Sequence, residues 1–259
     1  MRRLSDRFAE DAAACARLSD LAALVAEAAG ELGFHFFALL EHASLRDPSG
    51  ELVRIDNYPD AWVRELLATG DVPGDPVHLA SRRASSGFSW RDLSSLIALE
   101  PHHRQILERS RAFGFGDGFT VPSNVFGEPA ASCSFVTRRD REMPVTRLRC
   151  AELVGLHALT ASRRLLRPTS SRTRPRLSRR EIQCLRLVAQ GKTDWEIATI
   201  LSISVETVHQ YLKRARAAYD VVSRTQLVVH ALRDAWIAFE DVIPPSSSSS
   251  RPGGALTRD

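Results

Sequence analysis

Across its 259 residues the sequence has no apolar run approaching the ~18 residues that would cross a bilayer, so no membrane-spanning helix is expected. It also lacks a Cys-x-x-Cys pair. Cys15, Cys133, Cys150 and Cys184 lie far apart, which excludes a zinc-ligand or disulfide framework and suits reduced thiols in the cytoplasm. His102 and His103 are adjacent, so on a helix they diverge by about 100° and cannot share a metal as an i, i+4 pair could. There is no Gly-x-Ser-x-Gly and no His-rich metal motif, so the nucleophile–base pair or metal site of a hydrolase is absent; neither an enzyme nor a cofactor is expected. The first residues interleave charge with apolar side chains, unlike the apolar core of a signal peptide. Acids are missing from one long stretch. Arg163, Arg164, Arg167, Arg172, Arg174, Arg176, Arg179 and Arg180 follow one another without an Asp or Glu, although the net charge is only +4. Such a local excess points to a polyanion, with nucleic acid first, or to a solvated basic linker.

What is present is enough apolar content, 44%, to build packed cores, and a length that suits two domains. Composition divides the chain into residues 1–166, a linker over 167–176 with Pro168 and Pro175 among Ser, Thr and Arg, a helical region over 177–240, and a Ser- and Pro-rich disordered tail over 241–259. In the first part Leu18, Leu21, Ala22, Val25, Ala28, Ala29 and Leu32 recur at helical spacing. Residues 34–40 read as a buried strand and Leu52–Ile55 as a short one. Further helices are predicted over Ala61–Leu67, Pro101–Phe113 and Val145–Leu165, a turn over Val72–Pro76, and strands over Gly118–Pro122 and Ala131–Thr137. Strands grouped between helices predict an α+β fold: an α-β-α sandwich over an antiparallel sheet, followed by an all-α four-helix domain.

That second domain is the more legible. Ser178 and Glu181 form a capping box before a helix burying Ile182, Leu185, Val188 and Ala189, and Gly191 stops it. Thr193 and Glu196 form another, opening a short helix with Ile197, Ala198 and Leu201 inward. Ser204 caps a third helix burying Val205, Val208, Leu212 and Ala215. A fourth runs from about Ser223 to Ala235 with Leu227, Val228, Ala231 and Leu232 as its stripe. Two short helices joined by a tight turn predict a helix-turn-helix. The third helix presents Glu206, Thr207, His209, Gln210, Lys213 and Arg214 outward, side chains suited to base edges and phosphates of an operator duplex. Arg179, Arg180, Lys192 and Arg224 are candidates for the backbone. The apolar stripe of the fourth helix, and the symmetry of most operators, suggest a homodimer.

The run from Leu177 to Ala215 strongly resembles the LuxR-type helix-turn-helix. The resemblance rests on Glu181, Leu185, Gly191-Lys192-Thr193, Glu196-Ile197-Ala198, Leu201, Ile203-Ser204 and Thr207-Val208, with Val221 and Arg224 following at the family's spacing. Leu187 stands where an aromatic is common and Tyr211 where a histidine is common. The first should alter packing only; the second touches the DNA-facing side. The resemblance implies a double-stranded DNA operator as partner, with RNA polymerase a further candidate.

Residues 1–166 lack the alternating strands and acidic cluster of a phosphorylated receiver domain. Asn57-Tyr58-Pro59-Asp60-Ala61-Trp62, Asp75-Pro76, Trp90 and Gly118-Phe119-Thr120-Val121-Pro122 resemble instead, in order and spacing, the acyl-homoserine-lactone-binding domain of quorum-sensing regulators. What the resemblance implies is a buried signal, an N-acyl- or aryl-homoserine lactone. Asp75 would accept from its amide N–H, Trp62 donate to the lactone carbonyl, Tyr58 donate to the amide carbonyl, and Trp90 cover the ring. Gly118 would allow a close backbone approach, and Ser132 or Cys133 would stand at a pocket serine or threonine position. Leu66 replaces a tyrosine frequent in the family, giving up a hydroxyl near the expected tail. A regulator with a degenerate pocket that dimerises without ligand is the alternative at this level.

Overall fold

The computed structural model describes residues 2–42, 54–166 and 174–243, and the chain divides into two compact units between Ser170 and Ser171. The first unit runs α1 (Arg2–Ala14), α2 (Leu18–Glu31), β1 (Phe36–Glu41), β2 (Arg54–Asp56), α3 (Asp60–Ala68), α4 (Pro76–Ser81), β3 (Phe88–Ser89), α5 (Leu93–Leu96), α6 (Pro101–Ala112), β4 (Phe115–Ser123), β5 (Ala131–Arg138) and α7 (Leu148–Leu166). The five strands form one sheet in the order β2-β1-β5-β4-β3, every neighbouring pair antiparallel. This is the α-β-α sandwich. β5 is buried along both faces because helices cover both sides of the sheet.

Alternation along the strands decides what each face holds. Phe37, Leu39, Phe119, Val121, Ala131, Cys133 and Phe135 pack with α1, α2 and α7 into the main core. Their neighbours Ala38, Leu40, Ser132 and Ser134 face the other way, towards α3, α4 and α6, and there the sheet leaves a cavity. The register sets Ala38 beside Ser134 and Leu40 beside Ser132, so that face is laid out in cross-strand rows.

α1 has no counterpart among the sequence expectations. Its pattern is one apolar residue per turn, Leu4, Phe8 and Ala12, hidden among charges. Phe8 and Ala12 are nonetheless fully buried in the main core, and burying an aromatic side chain of that size is worth about 1.5–3 kcal/mol. Tertiary packing, rather than the strength of the pattern, makes this helix. It also corrects the reading of the basic run. Arg164 donates to the carbonyls of Ala12 (3.1 Å) and Cys15 (2.8 Å), closing the end of α1. Arg163 pairs with Glu128 at 2.8 Å and donates to the Ser123 carbonyl. These two arginines therefore serve the fold of the first unit and are not free for a polyanion. Residues 52–53, Arg167 and Arg172 lie outside the described residues, as does most of the expected linker.

The second unit contains α8 (Arg179–Ala189), α9 (Asp194–Leu201), α10 (Val205–Tyr219), α11 (Arg224–Arg233) and the short α12 (Phe239–Val242). The capping boxes form as expected: Ser178 with Glu181, Thr193 with Glu196, and also Ser223 with Gln226. Gly191 adopts φ +82°, the left-handed conformation that ends α8 at low steric cost. Between α9 and α10 the turn is fixed from both sides. Ser202 takes φ 54°, the Ile203 amide returns to the Ala198 carbonyl, and Ser204 caps α10 by accepting from the Thr207 amide. One boundary is corrected. The ordered chain continues past residue 240, since Gln190 donates to the Asp241 carbonyl (2.7 Å) and Arg186 approaches its carboxylate; the rest of the expected tail, 244–259, lies outside the described residues. Within α11, Leu227 and Ala231 are buried in the unit's own core with Val228 and Leu232 against them. Val228 and Leu232 thus keep part of their apolar surface open, and the exposed apolar side chains nearby are Val222 and Val229. Arg174, inside the expected linker and the first described residue of the second unit, lies over the Trp236 ring at 3.6 Å from its centroid.

Candidate ligand cavity and nucleic-acid interface

The cavity lies between the sheet and the α3–α4–α6 layer, and Tyr58, Trp62, Leu66, Asp75 and Trp90 all line it. Pro59 starts α3 so that Trp62 lands on its inner face, where the indole packs on Phe113 and Phe115 at 5.5 and 5.9 Å. Tyr58 stacks edge-on against Phe115 at 4.7 Å. Burial pushes its phenol well above the usual range, with the carboxylates of Asp75 and Asp56 adding to the effect, so it stands as an O–H donor. Neither the Tyr58 hydroxyl nor the Trp62 indole N–H has a protein partner among the described residues.

Asp75 does two things at once. Its Oδ1 caps α4, accepting from the amides of Val77 (2.7 Å) and His78 (3.4 Å). Pro76 at the first helical position suits this cap, since its missing N–H is not needed there. The other oxygen, Oδ2, has no partner among the described residues and belongs to a side chain that lines the cavity. A turn aspartate needs only the first oxygen; the second is free to accept from a ligand.

Trp90 donates through Nε1 to Thr120 Oγ1 (2.9 Å), which in turn bonds Ser134 Oγ (2.9 Å). The indole lies flat on Gly118, where a Cβ would overlap its ring atoms. Gly118 therefore makes room for Trp90 and does not itself line the cavity, a correction to its expected role. Gly118→Val should expel the indole and break its bond to Thr120, lowering the melting temperature and exposing a tryptophan to fluorescence quenchers. An unchanged quenching profile would contradict this packing.

Cys133 is also corrected. It points to the opposite face, fully buried in the main core, and burial pushes its thiol up to about 12. Its neighbours Ser132 and Ser134 line the cavity in its place. The two-residue alternation of β5 carried the signal, once one knows which parity faces inward. His78, Ser110, Ile106, Leu107, Leu40 and Arg54 complete much of the wall and were missed; none belongs to a local motif. At the end of β1, His42 is buried, packs against His78 with ring centroids 5.2 Å apart, and shares a hydrogen bond with Ser132 Oγ through Nε2 (2.9 Å). Burial, with His78 and Arg82 nearby, pushes it down to about 3, so it is neutral at physiological pH.

In the second unit α10 holds Lys213 and Arg214 fully outward, with no partner among the described residues. His209 and Gln210 are also exposed, Gln210 donating to Glu206 at 2.9 Å. Thr207 sits in the first turn, bonded to Ser204 Oγ. Lys192 lies 3.7 Å from Glu196. Asp194 gathers the rest: one oxygen is 2.7 Å from His209 Nε2 and the other 2.5 Å from Arg224 Nη1. Arg224 Nη2 also donates to the Lys192 carbonyl. Arg224, still half-exposed, is therefore engaged within the second unit, tying the start of α11 to the turn before α9, so it is not the free charge that the sequence suggested. Asp194→Ala should release both Arg224 and His209 and lower the melting temperature modestly, as expected for a half-exposed polar cluster; no loss would make the cluster decorative.

A model of the autoinducer binding domain matches residues 17–165, and the model "Bacterial regulatory proteins, luxR family" matches residues 175–231. The quorum sensing-dependent transcriptional regulator RpaR of Rhodopseudomonas palustris is 30% identical over 182 residues, covering 70% of this chain and 74% of RpaR. A putative HTH-type transcriptional regulator of Sinorhizobium fredii, y4qH, is 28% identical over 195 residues, 74% of this chain but only 59% of that protein. The structure of Escherichia coli SdiA in complex with octanoyl-rac-glycerol matches with a TM-score of 0.62 at 25% identity, over 90% of this chain and 93% of SdiA. The chain, with its autoinducer-binding domain followed by a helix-turn-helix, belongs to the LuxR family of bacterial transcriptional regulators.

Proposed function

We propose that this protein is a quorum-sensing transcription factor that encloses an N-acyl- or aryl-homoserine lactone in its first unit and binds operator DNA as a homodimer through α10. The observation that carries the ligand reading is the set of unused polar groups around one apolar cavity: Asp75 Oδ2, the Trp62 N–H and the Tyr58 O–H. An acyl-homoserine lactone has one amide N–H and two carbonyls to satisfy. Leaving each unpaired on burial would cost about 1–3 kcal/mol, and these three groups supply the acceptor and two donors required. Lys213 and Arg214 supply the exposed charge that a duplex demands, and Val222 and Val229 offer apolar surface for a second copy. The protein would act in the cytoplasm, where both a diffusible signal and the chromosome are available. The test is operator binding, measured by fluorescence anisotropy with and without homoserine lactones. A ligand-dependent change in affinity supports the reading, and identical curves across a lactone panel contradict it. Octanoylglycerol belongs in the panel, because a related protein has been solved with that compound.

A further inference from the structure

One corner of the cavity is polar and has no task in the scheme above. Ser132 and His78 line it, and His42 stands behind Ser132. The sheet register shows where this corner lies. Trp62 packs with Val136 and Phe115 at one end of β5, whereas Ser132 is four residues back along the strand, roughly 13 Å away at the strand rise. The lactone-facing group and this corner are thus at opposite ends of the cavity, with Ser134 between them. A purely hydrocarbon tail would bury Ser132 and His78 against methylenes.

Their hydrogen-bonding directions are set by their partners. His78 Nδ1 lies 3.2 Å from the Val72 carbonyl, which can only accept, so the neutral ring carries its lone pair on Nε2. His42 Nδ1 is buried without a partner. Orphaned buried N–H groups are rarer than orphaned acceptors, which places the His42 proton on Nε2, donating to Ser132 Oγ. The Ser132 O–H is then left for the cavity. Arg54 also lines the wall but is paired with Asp56. The corner therefore offers one donor and one acceptor side by side.

We propose that this corner recognises a hydroxyl group at the far end of the signal's acyl or aryl tail, which accepts from Ser132 and donates to His78, with His42 as the positioning residue that turns Ser132 towards it. This inference rests on the cavity being the lactone site. The test is calorimetric titration with two matched pairs: hexanoyl- against ω-hydroxyhexanoyl-homoserine lactone, and cinnamoyl- against para-hydroxycinnamoyl-homoserine lactone. In at least one pair the hydroxylated member should bind about tenfold to a hundredfold more tightly, because its absence strands two buried polar groups. Ser132→Ala and His78→Leu should each shrink that preference to within about threefold, the hydroxylated member losing affinity and the hydroxyl-free member gaining it as a stranded polar group is removed. His42→Phe should weaken the preference without touching the hydroxyl-free member; if that variant does not fold, Ser132→Ala carries the test. Equal binding within both pairs by the wild-type protein overturns the inference and leaves the lactone site standing. Survival of the full preference in Ser132→Ala overturns it as well. Binding of none of the four lactones removes the site reading and this inference together.

Discussion

Replacing Lys213 and Arg214 together by alanine should abolish detectable operator binding at physiological salt while leaving signal binding intact. Both side chains are exposed on α10 without a partner among the described residues, so their removal leaves no cavity and no unpaired group behind among them. Folding should therefore be unchanged, and loss of affinity can be read as loss of contacts. A contact to a base edge is worth about 1–3 kcal/mol, and a phosphate contact lowers the salt slope by roughly one. Salt titration of each single variant separates the two roles. A variant that loses affinity with an unchanged slope has lost a base contact; one whose slope flattens has lost a phosphate. Normal operator binding by the double variant would show that α10 does not enter the groove.

Asp75→Asn should weaken signal binding by roughly tenfold to more than a hundredfold, since a charge-assisted hydrogen bond is worth about 1.5–3 kcal/mol. The structure makes this substitution unusually clean. Asparagine caps helices about as well as aspartate, so the amides of Val77 and His78 keep an acceptor and α4 should start where it does now. What changes is the second oxygen: Asn places an NH2 group or a neutral oxygen where Oδ2 stood, opposite a ligand N–H. The variant should melt within a degree or two of the wild-type protein without ligand, yet bind the signal far more weakly. Affinity equal to wild type would reduce Asp75 to the cap of α4 and nothing more.

The parts of this molecule that were legible in sequence are those whose information is local. A capping box needs Ser178 and Glu181 three residues apart, and both bonds form. The α9–α10 turn is written in Ser202-Ile203-Ser204. Tyr58, Trp62, Asp75 and Trp90 could be named because they belong to a recognisable ordered set, and the fold brings all four to one cavity. The information that escaped is long-range. Whether Ser132 or Cys133 faces inward depends on how β5 sits between β1 and β4, and a shift by one residue exchanges the two faces. His78 and Ser132 are 54 positions apart and meet only through the packing of α4 on the sheet. α1 is invisible for a similar reason: Leu4, Phe8 and Ala12 have meaning only against α2 and α7. Arg163, Arg164 and Arg224 read as free charge until their partners, Glu128, the Ala12 carbonyl and Asp194, are placed beside them.

Whether the cavity under Asp75 binds a homoserine lactone signal can be read from ligand-dependent thermal unfolding. A compound that binds the folded cavity and not the unfolded chain stabilises the protein by about 2.7 kcal/mol when present at a hundred times its Kd. The wild-type melting temperature should therefore rise, with a dose dependence that follows the binding isotherm, for at least one member of a panel of acyl- and aryl-homoserine lactones. Asp75→Asn should show little or no rise at the same concentrations. A wild-type melting temperature indifferent to every lactone in the panel would contradict the account.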